Sequence, residues 1–574
     1  MPVLLSVLGI AATDARCSAA DQGRADGAVT AKKPPEPIFI LNAAGVDRVL
    51  GSADGLLKMV ERPQLSLALR GLLAVSTNGL KGIDRKRPVG LMTFINPGEA
   101  PEPVGVVYVP VTSGPEFLAS LKAMEFTVKP AAGLAGGYEV TAGEQAFAVR
   151  IRGRYAFLAR SPRSLKRELG NPAARFSRLS RDYDVCLRFQ LDATPAGLKA
   201  MVLDYVRASA EMGFEKRRGE TAAAHRLRKA IGKTVLRGFE EAVRDGRSLT
   251  LGLKVGPRRP DRTSIRQTAK SEVVRPNEVR TGRPDLLLEA RLAARPDSPL
   301  ANGLNDLRAN RKQSSAAGPK STDFRLATNW KPPASLVPLL NAFVAALPAA
   351  TAGGGKSEWP LLRQGLFTTG IRLVAWYQTP GVLEMPGVRQ PATFAVLSFP
   401  NAEAAAAQVR GALSEFRSRG LVRTEKVDAA QTPGVWHRVT WPSPEANTAG
   451  AVALVSNSAW VAVGRGKVLA LLQQELKAES GRRKAEEGAP QSALRVPPSA
   501  LFHLSGRWSV VKSLFVVTGF SRSRDRLKPV TTNRNRFELS VSDEPNTLVV
   551  RASVPPAAVR EAVAPVLKRL SKSQ

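Results

Sequence analysis

The sequence predicts an α+β fold made of two homologous units, each a curved, mostly antiparallel sheet with amphipathic helices packed on one face. Three observations lead to this prediction: strand and helix patterns alternate, hairpins recur, and one series of elements occurs twice. With 574 residues, 43% of them hydrophobic, the chain is long enough for two cores. We expect the units at residues 36–315 and 322–574. The alternative is one large α+β domain in which the similarity is accidental.

The first two repeated elements are a strand with a following helix and a hairpin with a following helix. Val104–Met124 has an apolar run, a turn and a helix, and Ala392–Leu413 repeats this order about 288 positions later. Ala146–Leu169 alternates apolar and polar residues on both sides of a tight Arg-Gly-Arg turn and then turns helical. Gly450–Leu476 has the same pattern.

Two further elements follow in the same order. Tyr183–Val206 is a strand that enters a helix, and Ala500–Phe520 matches it. Leu286–Leu307 matches Leu548–Leu570, 262 positions later. The separation falls because the second copy lacks a long helix predicted at Thr221–Arg244 and a basic insert at residues 257–283. Four correspondences in one order favour duplication over shared composition.

In this organisation the chain resembles a group of uncharacterised exported bacterial proteins that contain this strand-helix-hairpin-helix unit in duplicate. The resemblance rests on Val104–Met124, on Ala146–Leu169 and on the strand "SLTLGLKV" at Ser248–Val255 after a long helix. It covers most of the chain, but its motifs are architectural. The resemblance implies a fold and export, and it implies no activity and no catalytic residue.

The beginning of the chain predicts export. "VLLSVLGIAA" at Val3–Ala12 is about half as long as a membrane-spanning helix, and small residues near Ala19 and Ala20 offer a cleavage site. Met1-Pro2 supplies no basic region before it. We therefore expect a signal peptide at residues 1–20, a linker at 21–35, and a location in the periplasm or cell envelope.

Cysteine and histidine are too few to predict a metal centre or a disulfide framework. Removal of the signal peptide would take Cys17 and leave Cys186, and three histidines, His225, His437 and His503, lie far apart. The sequence therefore predicts no cofactor. The acid pairs Asp182/Asp184 and Asp543/Glu544 are interpreted as solvated turn and strand-end residues rather than as a general acid and base.

The formal charge of +35 predicts attraction to anionic polymers or anionic membrane surfaces. Pro257–Arg283 is locally dense, with eight basic and three acidic residues, but most of the charge is spread over the chain. No nucleic-acid-binding motif frames the dense segment. The candidate polyanion contacts in it are Arg258, Arg259, Arg262, Arg266 and Lys270.

Two short motifs suggest enzymes and are interpreted otherwise. "ATAGGGKS" ends in Gly355, Lys356 and Ser357 like a phosphate-binding loop, but a helical pattern precedes it where a strand is required. We expect a connection in which Lys356 is exposed. "SVVK" at Ser509–Lys512 has the serine-lysine spacing of penicillin-recognising enzymes, but it aligns near Thr194, which we interpret as a helix N-cap.

Three functions are consistent with these patterns. The first is a non-enzymatic exported protein of the cell envelope with a binding or structural role. The second is a non-specific polyanion binder that uses the basic segment and the helix before it on nucleic acid or anionic lipid. The third is an enzyme with a cleft between the two units.

Overall fold

A computed structural model describes most of the first half of the chain and mainly the strands of the second. The described residues are 36–96, 102–143, 145–216, 222–257, 284–309, 324–328, 372–385, 388–398, 402–418, 423–427, 435–440, 448–455, 458–465, 470, 472–473, 476, 500–507 and 536–570.

In this described part, twenty strands form one sheet in which all neighbours pair antiparallel. The first ten are β1 (Phe39–Ala43), β2 (Val89–Asn96), β3 (Glu102–Pro110), β4 (Thr127–Pro130), β5 (Gly137–Ala142), β6 (Gln145–Arg152), β7 (Tyr155–Ala159), β8 (Val185–Gln190), β9 (Gly246–Pro257) and β10 (Pro284–Ala294). The second ten are β11 (Phe324–Thr328), β12 (Arg372–Met385), β13 (Val388–Ser398), β14 (Arg423–Val427), β15 (Val435–Thr440), β16 (Thr448–Val455), β17 (Ser458–Arg465), β18 (Ala500–Arg507), β19 (Arg536–Glu544) and β20 (Thr547–Val554). The fold is therefore mixed helix and strand with a large antiparallel sheet, as the sequence predicts.

The order of the strands in space is the same in the two series. The first runs β4-β5-β6-β7-β3-β2-β1-β8-β9-β10. The second runs β14-β15-β16-β17-β13-β12-β11-β18-β19-β20. The two series join where β10 pairs with β20, with Glu289 opposite Arg551. This pairing makes the sheet continuous between the halves.

Eleven α-helices and one short 3-10 helix, Asn78–Leu80, have their bounds in the described residues; the α-helices are labelled in chain order. They are α1 (Val46–Met59), α2 (Gln64–Ser76), α3 (Gly114–Ala123), α4 (Pro162–Leu165), α5 (Pro172–Arg175), α6 (Ser177–Asp182), α7 (Ala196–Gly213), α8 (Ala222–Asp245), α9 (Pro299–Ala309), α10 (Ala402–Ser418) and α11 (Pro556–Leu570). The long helix predicted at Thr221–Arg244 is confirmed as α8, and the predicted strand Ser248–Val255 lies within β9.

Two helix starts show how local sequence sets the element boundaries. The Ser113 hydroxyl accepts a hydrogen bond from the Glu116 amide and caps α3, which has a proline in its first turn. The prediction that Thr194 caps α7 is wrong, because its hydroxyl donates to the Gln190 carbonyl at 2.9 Å. Helix α7 begins after Pro195 without a side-chain cap.

The expectation that helices cover only one face of the sheet is wrong around β3. Val107 and Val109 pack with Phe117 of α3, whereas Val106 and Tyr108 belong to the core that contains Phe176 and residues of α4 and α6. Successive residues of a strand point to opposite faces. The uninterrupted apolar run of β3 is therefore buried from both sides, as in a central strand between two layers.

Candidate interaction surfaces

The middle of the sheet is formed by β8, β9, β10 and β20, and its two faces differ in chemistry. The strand registers place fifteen side chains on one face, which we call the apolar face. They are Val185, Leu187 and Phe189 of β8; Leu249, Leu251, Leu253 and Val255 of β9; Leu286, Leu288, Ala290 and Leu292 of β10; and Leu548, Val550, Ala552 and Val554 of β20. All fifteen are aliphatic or aromatic, so this surface has no side-chain hydrogen-bonding group.

The apolar face is open to solvent. Phe189, Leu251 and Leu288 are 36%, 39% and 40% exposed, and the other twelve side chains are partly exposed. Phe39 of β1 extends the surface, since its ring centroid lies 5.1 Å from that of Phe189. At one end Leu548 packs against the core of α9. The face therefore presents a continuous set of partly exposed apolar side chains across four strands.

On the opposite face of the same strands, which we call the polar face, the side chains near the centre are buried. Ser248, Thr250 and Glu289 belong to it, and each is less than a tenth exposed. Glu289 accepts hydrogen bonds from the Tyr183 hydroxyl and from Arg551 Nε, each at 2.5 Å. Arg291 lies 3.3 Å from the same carboxylate and also pairs with Glu544 of β19. This ionic network joins the two halves across the β10–β20 pair.

The environment of Glu289 stabilises its charged form. Burial by itself raises the pKa of this carboxyl, but hydrogen bonds from Tyr183 and Arg551 and the charges of Arg551 and Arg291 outweigh burial and lower the pKa. The pKa of Tyr183 is raised, first by burial and then by its bond to Glu289. Glu289 is therefore charged at neutral pH and forms ion pairs with Arg551 and Arg291.

A second buried network surrounds Asp184, at the beginning of β8. Its carboxylate accepts hydrogen bonds from Arg48 Nε at 2.6 Å, from the Ser52 hydroxyl at 2.6 Å and from the Val255 amide at 2.7 Å. It thereby ties α1 to β8 and β9. The interpretation of Asp184 as a solvated turn residue is wrong, because these donors satisfy a carboxylate that is almost fully buried.

Helices α7 and α8 form a hairpin, which we call the basic hairpin (Ala196–Gly213 and Ala222–Asp245). Arg207 Nε of α7 donates to Glu240 of α8 at 2.6 Å, and an Arg228 Nη2 atom donates to the Glu215 carbonyl at 2.7 Å. The Phe214 ring occupies the space that a Cβ at position 232 would fill, so Gly232 lets the helices approach. The two helices are thus held together as one element.

The outer surface of the basic hairpin combines apolar and basic side chains. Helix α7 has no buried residue, and Met201, Tyr205 and Met212 are 62%, 74% and 70% exposed. At 100° per residue these three lie on one line, roughly opposite Arg207. In α8, Lys229, Lys233 and Arg237 are exposed, and residues 222–237 contain no acidic residue.

Helix α2 is also apolar and exposed, but it lacks this charge. Leu67, Leu72 and Val75 are exposed on it, and its single basic residue, Arg70, pairs with Asp54. Helix α2 and the basic hairpin therefore both expose apolar side chains, but only the hairpin also exposes several cations.

An open cavity of about 460 Å³ lies where the turn between β6 and β7 meets the start of α5. Arg87, Arg152 and Arg154 line it, but Arg87 pairs with Asp84 at 3.0 Å and Arg152 lies 4.0 Å from Glu168. These carboxylates neutralise two of the three cations. The lining residues do not form a nucleophile with a neighbouring base.

The sequence-predicted site residues fall outside the described part of the chain. This applies to Gly355, Lys356 and Ser357, to Ser509 and Lys512, and to Arg258, Arg259, Arg262, Arg266 and Lys270. His437 lies in β15 and His503 in β18, far apart in the chain. The pKa of His437 is lowered by burial and by the charges of Lys426 and Arg417. Sequence reasoning missed the apolar face, although the Leu-x-Leu-x-Leu-x-Val alternation of β9 is its signal.

Neither a metal centre nor a membrane span is found in the described residues. No three His, Cys, Asp or Glu side chains there are grouped to hold an ion. None of the helices there is both long and apolar enough to cross a bilayer. In comparisons with known proteins, no family model, no curated protein and no solved structure matches the chain. The surfaces themselves are therefore the basis for a function.

Proposed function

We propose that this chain is an exported, non-enzymatic protein of the cell envelope that binds lipid acyl chains on the apolar face. The observation that carries the proposal is the uninterrupted set of fifteen apolar side chains, with Leu251 and Leu288 exposed in its middle. The largest contiguous apolar patch on a soluble protein typically measures about 300 to 600 Å² and is often a functional site. Export rests on the apolar segment Val3–Ala12.

The shape and chemistry of the surface favour extended alkyl chains. Strands lie about 4.8 Å apart and rise about 3.3 Å per residue, so four strands and the stretch Leu249–Val255 give a surface of roughly 15 by 20 Å. Several alkyl chains fit side by side on such an area. Each methylene group removed from water contributes about 0.8 kcal/mol. A polar ligand would leave its donors and acceptors without partners there.

Charge favours an anionic lipid over a second copy of the chain. At +35, two copies repel one another, whereas an anionic headgroup is attracted. The ligand that fits both the apolar face and the charge is an anionic phospholipid, such as phosphatidylglycerol.

We further propose that the two halves are homologous units and that the lipid site spans their junction. Leu286 and Leu548, equivalent in the sequence comparison, are 262 positions apart, and Glu289 and Arg551, which face each other, have the same separation. The equal strand orders also support this proposal. Because these two equivalent positions face each other, an exact repeat would place the same charged residue at both, and the charges would repel. In this chain the positions carry Glu289 and Arg551, which attract each other.

The test measures binding of a fluorescent fatty acid and its displacement by phosphatidylglycerol. We expect the double variant Leu251→Gln/Leu288→Gln to bind the fatty acid at least about tenfold more weakly, because it puts unpaired amides on the apolar face. The control Leu65→Gln/Leu69→Gln alters two leucines of α2 that are similarly exposed, at 41% each, and is expected to bind normally. Equal binding by all three proteins, or no binding by the unmodified protein, would contradict the proposal.

A further inference from the structure

We infer that the basic hairpin is a membrane-docking element that binds the surface of an anionic bilayer. The inference goes beyond lipid binding on the apolar face, and it rests on different residues. The apolar face binds acyl chains, whereas the hairpin attaches the protein to the membrane that contains them.

The apolar side of the hairpin has the composition of an interfacial helix. Met201, Tyr205 and Met212 lie on one line of α7 and span about 16 Å at 1.5 Å per residue. Methionine side chains adapt to irregular apolar surroundings, and tyrosine places its ring in the headgroup boundary with its hydroxyl in water. A stripe of this length can enter the interface, and an 18-residue helix with Asp204 and Glu211 is too polar to span the membrane.

The basic side of the hairpin supplies attraction to an anionic leaflet. Lys229, Lys233 and Arg237 are exposed and recur every four residues along α8, and residues 222–237 contain no acid. The acidic residues of this helix, Glu240, Glu241 and Asp245, are gathered in its last turns. Cations near an anionic bilayer add to binding one by one, and salt screens the effect.

The hairpin is already ordered without a ligand. The Arg207–Glu240 pair, the bonds of Arg228 and the contact of Phe214 with Gly232 fix α7 against α8. Binding therefore does not have to supply the entropy of folding these helices. An ordered element that exposes large apolar side chains beside cations fits a bilayer better than nucleic acid, because phosphate contacts do not use Met201 or Met212.

The test is co-sedimentation of the full chain with vesicles of phosphatidylcholine, with and without phosphatidylglycerol. We expect binding only to vesicles with phosphatidylglycerol. The variant Met201→Ser/Tyr205→Ser/Met212→Ser and the variant Lys229→Glu/Lys233→Glu/Arg237→Glu should each bind these vesicles at least about tenfold more weakly.

Two controls separate the hairpin from general effects of charge and apolar surface. Lys81→Glu/Lys122→Glu/Lys129→Glu has the same change in net charge on exposed lysines elsewhere, and Leu67→Ser/Leu72→Ser/Val75→Ser alters α2. Both are expected to bind like the unmodified protein. Circular dichroism and fatty-acid binding, which we expect to be unchanged in the hairpin variants, show that they are folded.

Three results would overturn the inference. The first is equal binding to vesicles with and without phosphatidylglycerol, or binding to neither. The second is equal loss in a hairpin variant and its control. The third is undiminished vesicle binding by the Met201/Tyr205/Met212 variant together with salt-sensitive binding to duplex DNA, which would assign the hairpin to polyanions. Fatty-acid binding is scored separately, so failure of the lipid site and failure of membrane docking are distinguishable.

Discussion

The two faces of the central sheet reverse the usual relation between polarity and burial. Thr250 and Leu251 are neighbours in β9 and point to opposite sides, yet the threonine is 6% exposed and the leucine 39%. At the centre of the polar face, hydrogen bonds and ion pairs satisfy the buried carboxylate of Glu289. The apolar face has no such requirement, and its side chains stay partly exposed among the described residues.

We therefore expect stability and ligand binding to depend on different sides of the same strands. The buried networks of Glu289 and Asp184 hold β10 to β20 and α1 to the sheet. Substitutions on the polar face should therefore change the free energy of unfolding. Substitutions on the apolar face should change ligand binding and leave the fold largely intact.

The largest effect is expected for Asp184→Ala. The change leaves Arg48, Ser52 and the Val255 amide without their shared acceptor, and it should lower the free energy of unfolding by about 3 kcal/mol. Denaturation by urea measures it. Asp182→Ala, two residues earlier, is the control and is expected to cost less than about 1 kcal/mol, because Asp182 makes only long ion pairs near the surface. Similar losses in the two variants would contradict the role of Asp184.

A smaller loss, about 2 kcal/mol, is expected for Glu289→Gln. The amide keeps the shape of the side chain but removes the charge that Arg551 and Arg291 face. Glu425→Gln on β14 is the matched control, since Glu425 is exposed and lies 3.3 Å from Arg438, and it should change stability by less than about 1 kcal/mol. If both variants unfold at the same urea concentration as the unmodified protein, Glu289 does not hold the halves together.

The contribution of Glu289 should also depend on pH. Its pKa is lower in the folded chain than in the unfolded chain, so the unfolded state binds the proton more readily. The stabilisation is present above the unfolded pKa of about 4.3 and is lost as the pH falls through the folded pKa. The difference in stability between the unmodified protein and Glu289→Gln should therefore shrink in acid. A difference that grows in acid would contradict the lowered pKa.

Loss of a leucine should cost little on the apolar face. Leu251→Ala is expected to lower the free energy of unfolding by about 1 kcal/mol, because its side chain is already partly in water. Leu158→Ala in β7, where the leucine is buried in the core around α3, should cost about 2 to 5 kcal/mol. Equal costs at the two positions would show that the apolar face is a covered part of the core.

The smallest effect is expected when the folded protein is treated with a thiol reagent, because its target, the Cys186 thiol, lies on the polar side of β8. Burial raises the pKa of this thiol to about 11, so it stays protonated and shielded at mildly alkaline pH. In a Cys17→Ser protein we expect no reaction with a thiol reagent until the chain unfolds. Rapid labelling of the folded protein would show that the polar face opens to solvent.

Part of the fold could be predicted from the sequence because local patterns encode it. Helix α8 and the strand within β9 were predictable from apolar spacing. The burial of Asp184 could not be predicted, because its donors come from residues more than 70 positions away in the chain. Two-sided coverage of β3, in contrast, could have been predicted, because its continuous apolar run is the signal for it.

Side chains in a strand alternate between its two faces with a period of two residues. Local sequence alone therefore shows that Leu249, Leu251 and Leu253 point the same way. It also determined the charge that favours an anionic ligand. The tertiary structure was needed to show that Leu251 is exposed and its two neighbours partly exposed, whereas Thr250 and Glu289 are enclosed. Burial depends on which elements pack over a face, and the pairing of β10 with β20, more than 250 residues apart, joins two distant segments into one surface.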